Sequence, residues 1–192
     1  MTSEFKHEAY QNLHVEQEVV NVFVAGEEPS GKCSLIKRFA NREIQKTTSK
    51  LKCVVKCLYT LTSSAVVLRI WYVHNLYGAM DSIKEICNHQ KSVILFCYSS
   101  SYIDTLASLL VQWIPEIKEQ IGTSVPALLV ENENNLKISE PEDWVSEAKH
   151  FVSTEDEHFV MQRFLLNGFL RCSLNDIESV ERVFHAAVTF AS

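Results

Sequence analysis

Val19-Val20-Asn21-Val22-Phe23-Val24-Ala25-Gly26-Glu27-Glu28-Pro29-Ser30-Gly31-Lys32-Cys33-Ser34 decides how the rest of the chain is read. The first seven residues form a short apolar run of the kind that makes a buried strand. The next eight fit the phosphate-loop pattern G-x-x-x-x-G-K-[ST] at every fixed place but the last. Gly26, Gly31 and Lys32 match; Cys33 stands where Ser or Thr is required. An amphipathic stretch, Leu35–Ala40, follows, so the loop lies between a strand and a helix. In that setting backbone N–H groups and the helix N-terminus cradle an anion, and the lysine adds a point charge. The group lost at Cys33 is the hydroxyl that would hold Mg²⁺, and a thiol is a poor substitute for a hard oxygen. Ser34 is turned about 100° further around the helix and does not replace it. Glu27 and Glu28 bring two negative charges to the loop, and Pro29 has no N–H to offer.

Working outward, the helix is expected over Gly31–Glu43. Leu51–Leu61 and Ala65–Val73 are β-rich runs split by Thr62-Ser63-Ser64, the spacing of a hairpin. A helix over Leu76–His89 follows, then a buried strand over Ser92–Tyr98. Leu106, Leu109, Leu110, Trp113, Ile117 and Ile121 share one helical face, so Ile103–Ile121 reads as a helix that Pro115 bends or breaks. Val125–Val130 and Phe169–Cys172 are strands, and Ile177–Ala191 closes the chain as a helix. Asp104, Asp143 and the pair Glu155-Asp156 read as helix-start charges. Strands alternating with helices give an α/β class with a mostly parallel sheet.

The chain has 192 residues, of which 46% are hydrophobic, enough for one domain with a full core. Its net charge of −6 and lack of a basic tract argue against nucleic acid and anionic membrane as partners. Met1–Val15 is too polar for a signal peptide, and no apolar run reaches the roughly 18 residues of a membrane span. The cysteines form no C-x-x-C pair and read as reduced core thiols of a cytoplasmic protein. No histidine spacing makes a metal cluster, and no Ser-His-Asp or Cys-His constellation can be assembled, so catalytic and metal residues are both expected to be none.

The loop, the hairpin after the first helix and the order of elements resemble a Ras-superfamily small GTPase over about 18–191. The Rho branch is the nearer likeness. Trp113-Ile114-Pro115-Glu116-Ile117 followed by Val125-Pro126, and Leu170-Arg171-Cys172-Ser173-Leu174, are similar to Rho motifs. Residues 137–151, with Pro141-Glu142-Asp143-Trp144, stand where Rho proteins carry an insert helix. Arg69-Ile70-Trp71 aligns with the strand that leads into the second switch, and Leu-x-Ile-Trp there also suits Rab proteins, which leaves that branch open. The resemblance implies a six-stranded sheet with one antiparallel strand and helices on both faces. Residues 1–17 are then an N-terminal extension, and 18–192 the small-GTPase-like domain.

Against that likeness the nucleotide motifs depart. Where the family reads D-x-x-G-Q, the chain reads Tyr72-Val73-His74-Asn75-Leu76. The metal-anchoring Asp is Tyr72, the γ-phosphate Gly is Asn75, and the water-orienting Gln is Leu76. Where the family reads N-K-x-D-L, the chain reads Asn132-Glu133-Asn134-Asn135-Leu136, which keeps Asn132 and turns an acceptor for guanine into the amide of Asn135. Ser173-Leu174-Asn175 nearly matches the last base-contacting loop. The switch I hydroxyl falls near Thr48 or Ser49, in a segment that also reads as an ordinary polar loop. His74 reads as a surface polar residue.

The reading is a small-GTPase fold that is not an enzyme, with negligible GTPase activity, serving as a protein-interaction subunit of a larger assembly. The alternative is a Rho-like switch that binds nucleotide without hydrolysing it. If nucleotide binds, whether GTP or GDP, its contacts are Gly26, Gly31, Lys32, Cys33, Ser34, Asn132, Asn135 and Ser173; otherwise no cofactor is expected. Tyr72, Leu76 and Tyr77 are the expected interaction surface, since aromatic side chains anchor interfaces. The partner is a protein. No lipidation motif follows Cys172, so membrane recruitment is expected to run through that partner.

Overall fold

A computed structural model describes residues 18–41, 51–61, 64–133 and 154–191. The N-terminal extension 1–17, the switch I hydroxyls Thr48 and Ser49, Asn135 and the insert 137–151 lie outside the described residues.

Six strands form one sheet in the order β2-β3-β1-β4-β5-β6. They are β1 Val19–Ala25, β2 Leu51–Leu61, β3 Ser64–Val73, β4 Lys91–Ser99, β5 Ala127–Glu133 and β6 Gly168–Ser173. Every neighbouring pair is parallel except β2 with β3. The fold is thus the expected one, with a single antiparallel pair at one edge. β1 and β4 sit centrally, and their near-continuous apolar runs follow from burial on both faces.

Helices cover both faces. α1 Lys32–Ala40 and α6 Ile177–Ala191 pack on one side, where Leu35, Ile36, Phe39, Val183 and Phe184 join Val22, Leu68 and Leu95. α2 Leu76–His89, α3 Ile103–Ser108 and α4 Ile114–Ile121 pack on the other, with Met80, Ile83, Leu109 and Ile117 against Phe23, Ile94 and Leu129. The first helix ends three residues short of its expected limit, because Asn41 adopts a left-handed conformation that stops it.

Between α3 and α4 the chain neither breaks nor runs on as a plain α-helix. Leu109–Trp113 form a π turn, and the Ile114 N–H bonds the Leu109 carbonyl. Pro115 follows directly on the π turn, at the start of α4, and having no N–H it cannot bond back to the preceding turn. α5, Thr154–Arg163, begins at the Glu155-Asp156 pair read as helix-start charges, although no helix span had been drawn over it.

Candidate functional site

The phosphate loop leaves the C-terminal end of β1 and passes over β4. Gly26 has φ of 136°, and a Cβ there would lie 2.3 Å from the Cys97 carbonyl oxygen, so only glycine fits. Glu28–Ser30 then tighten into a 3₁₀ turn before Gly31, at φ 79°, opens α1. This turn consumes one donor of the cradle: the Ser30 N–H bonds the Glu27 carbonyl at 3.1 Å. Pro29 lacks a second. What remains for an anion is the first turn of α1, where no side chain caps the backbone.

Both acidic side chains of the loop are engaged. The Glu27 carboxylate accepts from the Ser108 hydroxyl at 2.9 Å and the Trp113 indole at 3.0 Å. The Glu28 carboxylate accepts from the Tyr72 hydroxyl at 2.5 Å and faces His74 Nδ1 at 3.2 Å. Partial burial pushes the Glu28 carboxyl up. The Tyr72 hydrogen bond, the Lys32 charge and His74 together outweigh that and hold it below the usual value of 4.5. Burial, and then the bond to Glu28, push the Tyr72 phenol far up, so it remains the donor.

Lys32 is 1% exposed. Its ammonium donates to the Gly26 carbonyl at 2.7 Å, lies 5.0 Å from the Tyr72 ring centre and 6.0 Å from that of Trp113. Burial lowers its affinity for the proton, and Glu28 and Glu27 work in the opposite sense. Asn132, at the end of β5, donates to the Ser30 carbonyl at 2.7 Å and so ties the loop to a third strand. Its own Oδ1 and the Ser30 hydroxyl are buried with no hydrogen-bond partner.

A family model described as the Ras family matches residues 21–191. The chain belongs to the Ras family. Relatives of this Ras-family chain are Rho-like. It is 30% identical to the GTP-binding protein RHO5 of Saccharomyces cerevisiae over 70% of the chain and 46% of that protein. It is 28% identical to the human Rho-related GTP-binding protein RhoB over 58% of the chain and 57% of that protein. With the Rho-related protein racL of Dictyostelium discoideum it shares 23% identity over 88% of the chain and 87% of racL. It therefore spans about half the length of the first two. One expectation falls here. The Ras family is a family of GTPases, and membership overturns the expectation that the chain is not an enzyme.

The residues do not suit a magnesium-bound phosphate as arranged. A thiol, Cys33, and a phenol, Tyr72, occupy the places of the oxygen ligand and the metal-anchoring carboxylate. Among the described residues no group of three or more His, Cys, Asp or Glu side chains could hold a metal ion. Of the predicted nucleotide contacts, Gly26, Gly31, Lys32 and Asn132 come together at the loop. Cys33 and Ser34 continue into α1. Ser173 ends β6, where its backbone is tied to Ser179 at the start of α6.

The expected interaction surface needs correcting. Tyr77 is 66% exposed, but Tyr72 is 7% and Leu76 3% exposed. Tyr72 turns inward because Glu28 and Lys32 give its hydroxyl and ring a partner each. Leu76 begins α2 and joins the core beside Val73 and Met80. Asn75, at the place of the γ-phosphate glycine, caps that helix by accepting from the Gly78 N–H at 3.0 Å. His74 is a partner of the loop rather than a plain surface residue. Ser108 and Trp113 were missed as site residues: helical spacing marked Trp113 as core, and no pattern singled out Ser108.

Proposed function

We propose that this Ras-family chain acts as a protein-interaction subunit of a larger assembly, with its phosphate loop held by its own side chains rather than by a resident nucleotide. The observation that carries this reading is the Glu28 carboxylate, bound to the Tyr72 hydroxyl and facing His74. Those contacts join the loop to the end of β3, two parts that a nucleotide-driven switch moves relative to each other. A surface without that motion suits standing contact. All six cysteines are free thiols, in keeping with work in the reducing cytoplasm.

A second reading has its own support. Lys32 on the Gly26 carbonyl and Asn132 on the Ser30 carbonyl keep the loop in a form that a nucleotide-binding switch could use. Nucleotide released from natively purified protein separates the two. Far less than one guanine nucleotide per chain, with a co-purifying partner of fixed stoichiometry that survives EDTA, is the expected result. One equivalent of GTP or GDP per chain, or a partner gained and lost with it, would overturn the proposal.

A further inference from the structure

The ammonium of Lys32 is shut in. Among the described residues its one hydrogen bond goes to the Gly26 carbonyl at 2.7 Å, which leaves the other ammonium protons without an acceptor. Aromatic rings stand around it instead. Nζ lies over the Tyr72 ring, 5.0 Å from its centre, and the Trp113 ring centre is 6.0 Å away. So enclosed, Lys32 is 1% exposed. Next to it, the first turn of α1 has no side-chain cap, and its free backbone N–H groups favour negative charge. The Ser30 hydroxyl, buried in the same loop, also has no hydrogen-bond partner. A buried cation with unused donors beside an uncapped helix start suits a compact oxyanion.

We infer that the Tyr72 side chain is a lid, latched by Glu28, over an anion site that Lys32 and the start of α1 still form. This rests on the reading above of a loop held by its own side chains, and adds what keeps it closed and what would enter. Tyr72 comes from the end of β3, with its hydroxyl on the Glu28 carboxylate and its ring against Lys32. A ring face satisfies a buried cation only in part. An oxyanion would satisfy it better, through charge-assisted hydrogen bonds. Lid and anion therefore compete for the same ammonium. The lid is buried, with Tyr72 7% exposed, but its latch is at the surface, where the Glu28 and His74 side chains are 52% and 40% exposed. The latch can thus be released without first breaking into the core.

The probe is pyrophosphate in EDTA, titrated by calorimetry into the full chain stripped of any nucleotide. Tyr72→Ala should bind it about tenfold more tightly than the wild type, the scale of one charge-assisted hydrogen bond regained. Adding Lys32→Ala should remove the gain. Glu28→Gln weakens the latch at a half-exposed position and serves where Tyr72→Ala does not fold. Its readout is acetylation of Lys32 by acetic anhydride, followed by peptide mass. Labelling should be slow in the wild type and several-fold faster in Glu28→Gln, with pyrophosphate protecting the amine. Equal pyrophosphate binding by wild type and Tyr72→Ala, a gain that survives Lys32→Ala, or unchanged labelling in Glu28→Gln would each overturn the lid. Such a failure leaves the subunit role standing, since nucleotide content and the co-purifying partner judge that role. A wild-type chain purified with nucleotide would overturn the role, and the stripped chain would still judge the lid.

Discussion

The hydroxyl of Tyr72, at the end of β3, donates to the carboxylate of Glu28 in the phosphate loop, 44 residues earlier in the chain. One hydrogen bond thereby joins the two segments whose separation or approach defines a nucleotide switch. The same tyrosine lays its ring toward the Lys32 ammonium. Removing the hydroxyl alone, in Tyr72→Phe, keeps the ring and isolates the bond. Stability should fall by about 1 kcal/mol in urea unfolding, since the lost bond has a charged but half-exposed acceptor. An unchanged midpoint would show that the contact does not hold the loop.

The acid limb of stability should report Glu28. Its carboxyl titrates below the ordinary value of 4.5 in the folded chain. The unfolded chain therefore binds the proton first as pH falls, and stability drops from about 4.5 downward through the folded value. Above that window the contribution is fully present. Glu28→Gln should flatten this limb relative to the wild type, and identical acid profiles would count against the Tyr72–Lys32–His74 surroundings as the cause.

Gly26→Ala should be severely destabilising, by roughly 3 kcal/mol, because it adds backbone strain to a clash with the Cys97 carbonyl. Gly122 is the natural control. Its φ is also positive, at 73°, but an added Cβ meets nothing within 4 Å. Gly122→Ala should therefore cost only the strain, about 1–2 kcal/mol. Equal losses in thermal unfolding would mean that the close approach to β4 relaxes freely.

Trp113→Phe removes the indole donor from the Glu27 carboxylate while leaving an aromatic ring in the core. A loss of about 1.5–3 kcal/mol is expected for a buried donor to a charged acceptor. Ser108→Ala, which removes the other donor, should couple to it in a double-mutant cycle, because both bonds end on the same oxygen. Strict additivity would show that Glu27 is not a shared anchor.

Much of the fold was legible in the residues, for physical reasons. Val19–Ala25 and Val93–Phe96 are apolar runs too short for helices and too continuous for a half-exposed strand. Val180, Val183, Phe184, Ala187 and Val188 trace one helical stripe. Of α5 only the start was legible, in the Glu155-Asp156 pair, because Thr154–Arg163 is mostly polar and carries little amphipathic pattern. The π turn was hidden because the apolar spacing of Leu106, Leu109, Trp113 and Ile117 also fits an unbroken helix. At the site, the glycines and Lys32 could be read from spacing. The contacts of Glu27 with Trp113 and of Glu28 with His74 span 86 and 46 residues, and local pattern carries no trace of such pairings. Tyr72 was placed outside on the expectation that a switch segment is exposed, whereas Lys32 and Glu28 gave it reasons to turn in.

The π turn at Leu109–Trp113 is, in effect, a helix carrying one surplus residue. Everything downstream is rotated by about 100° relative to an uninterrupted helix. Val111, 81% exposed, lies at its middle and touches little that would resist its loss. Deleting that single codon would turn the π turn into an ordinary α-turn while Trp113 keeps its aim at Glu27, because the surplus residue is taken up within the turn itself. In this segment the heritable property is therefore chain length as much as residue identity, and a one-residue gap between two related sequences would mark a turn made regular with its tryptophan in place.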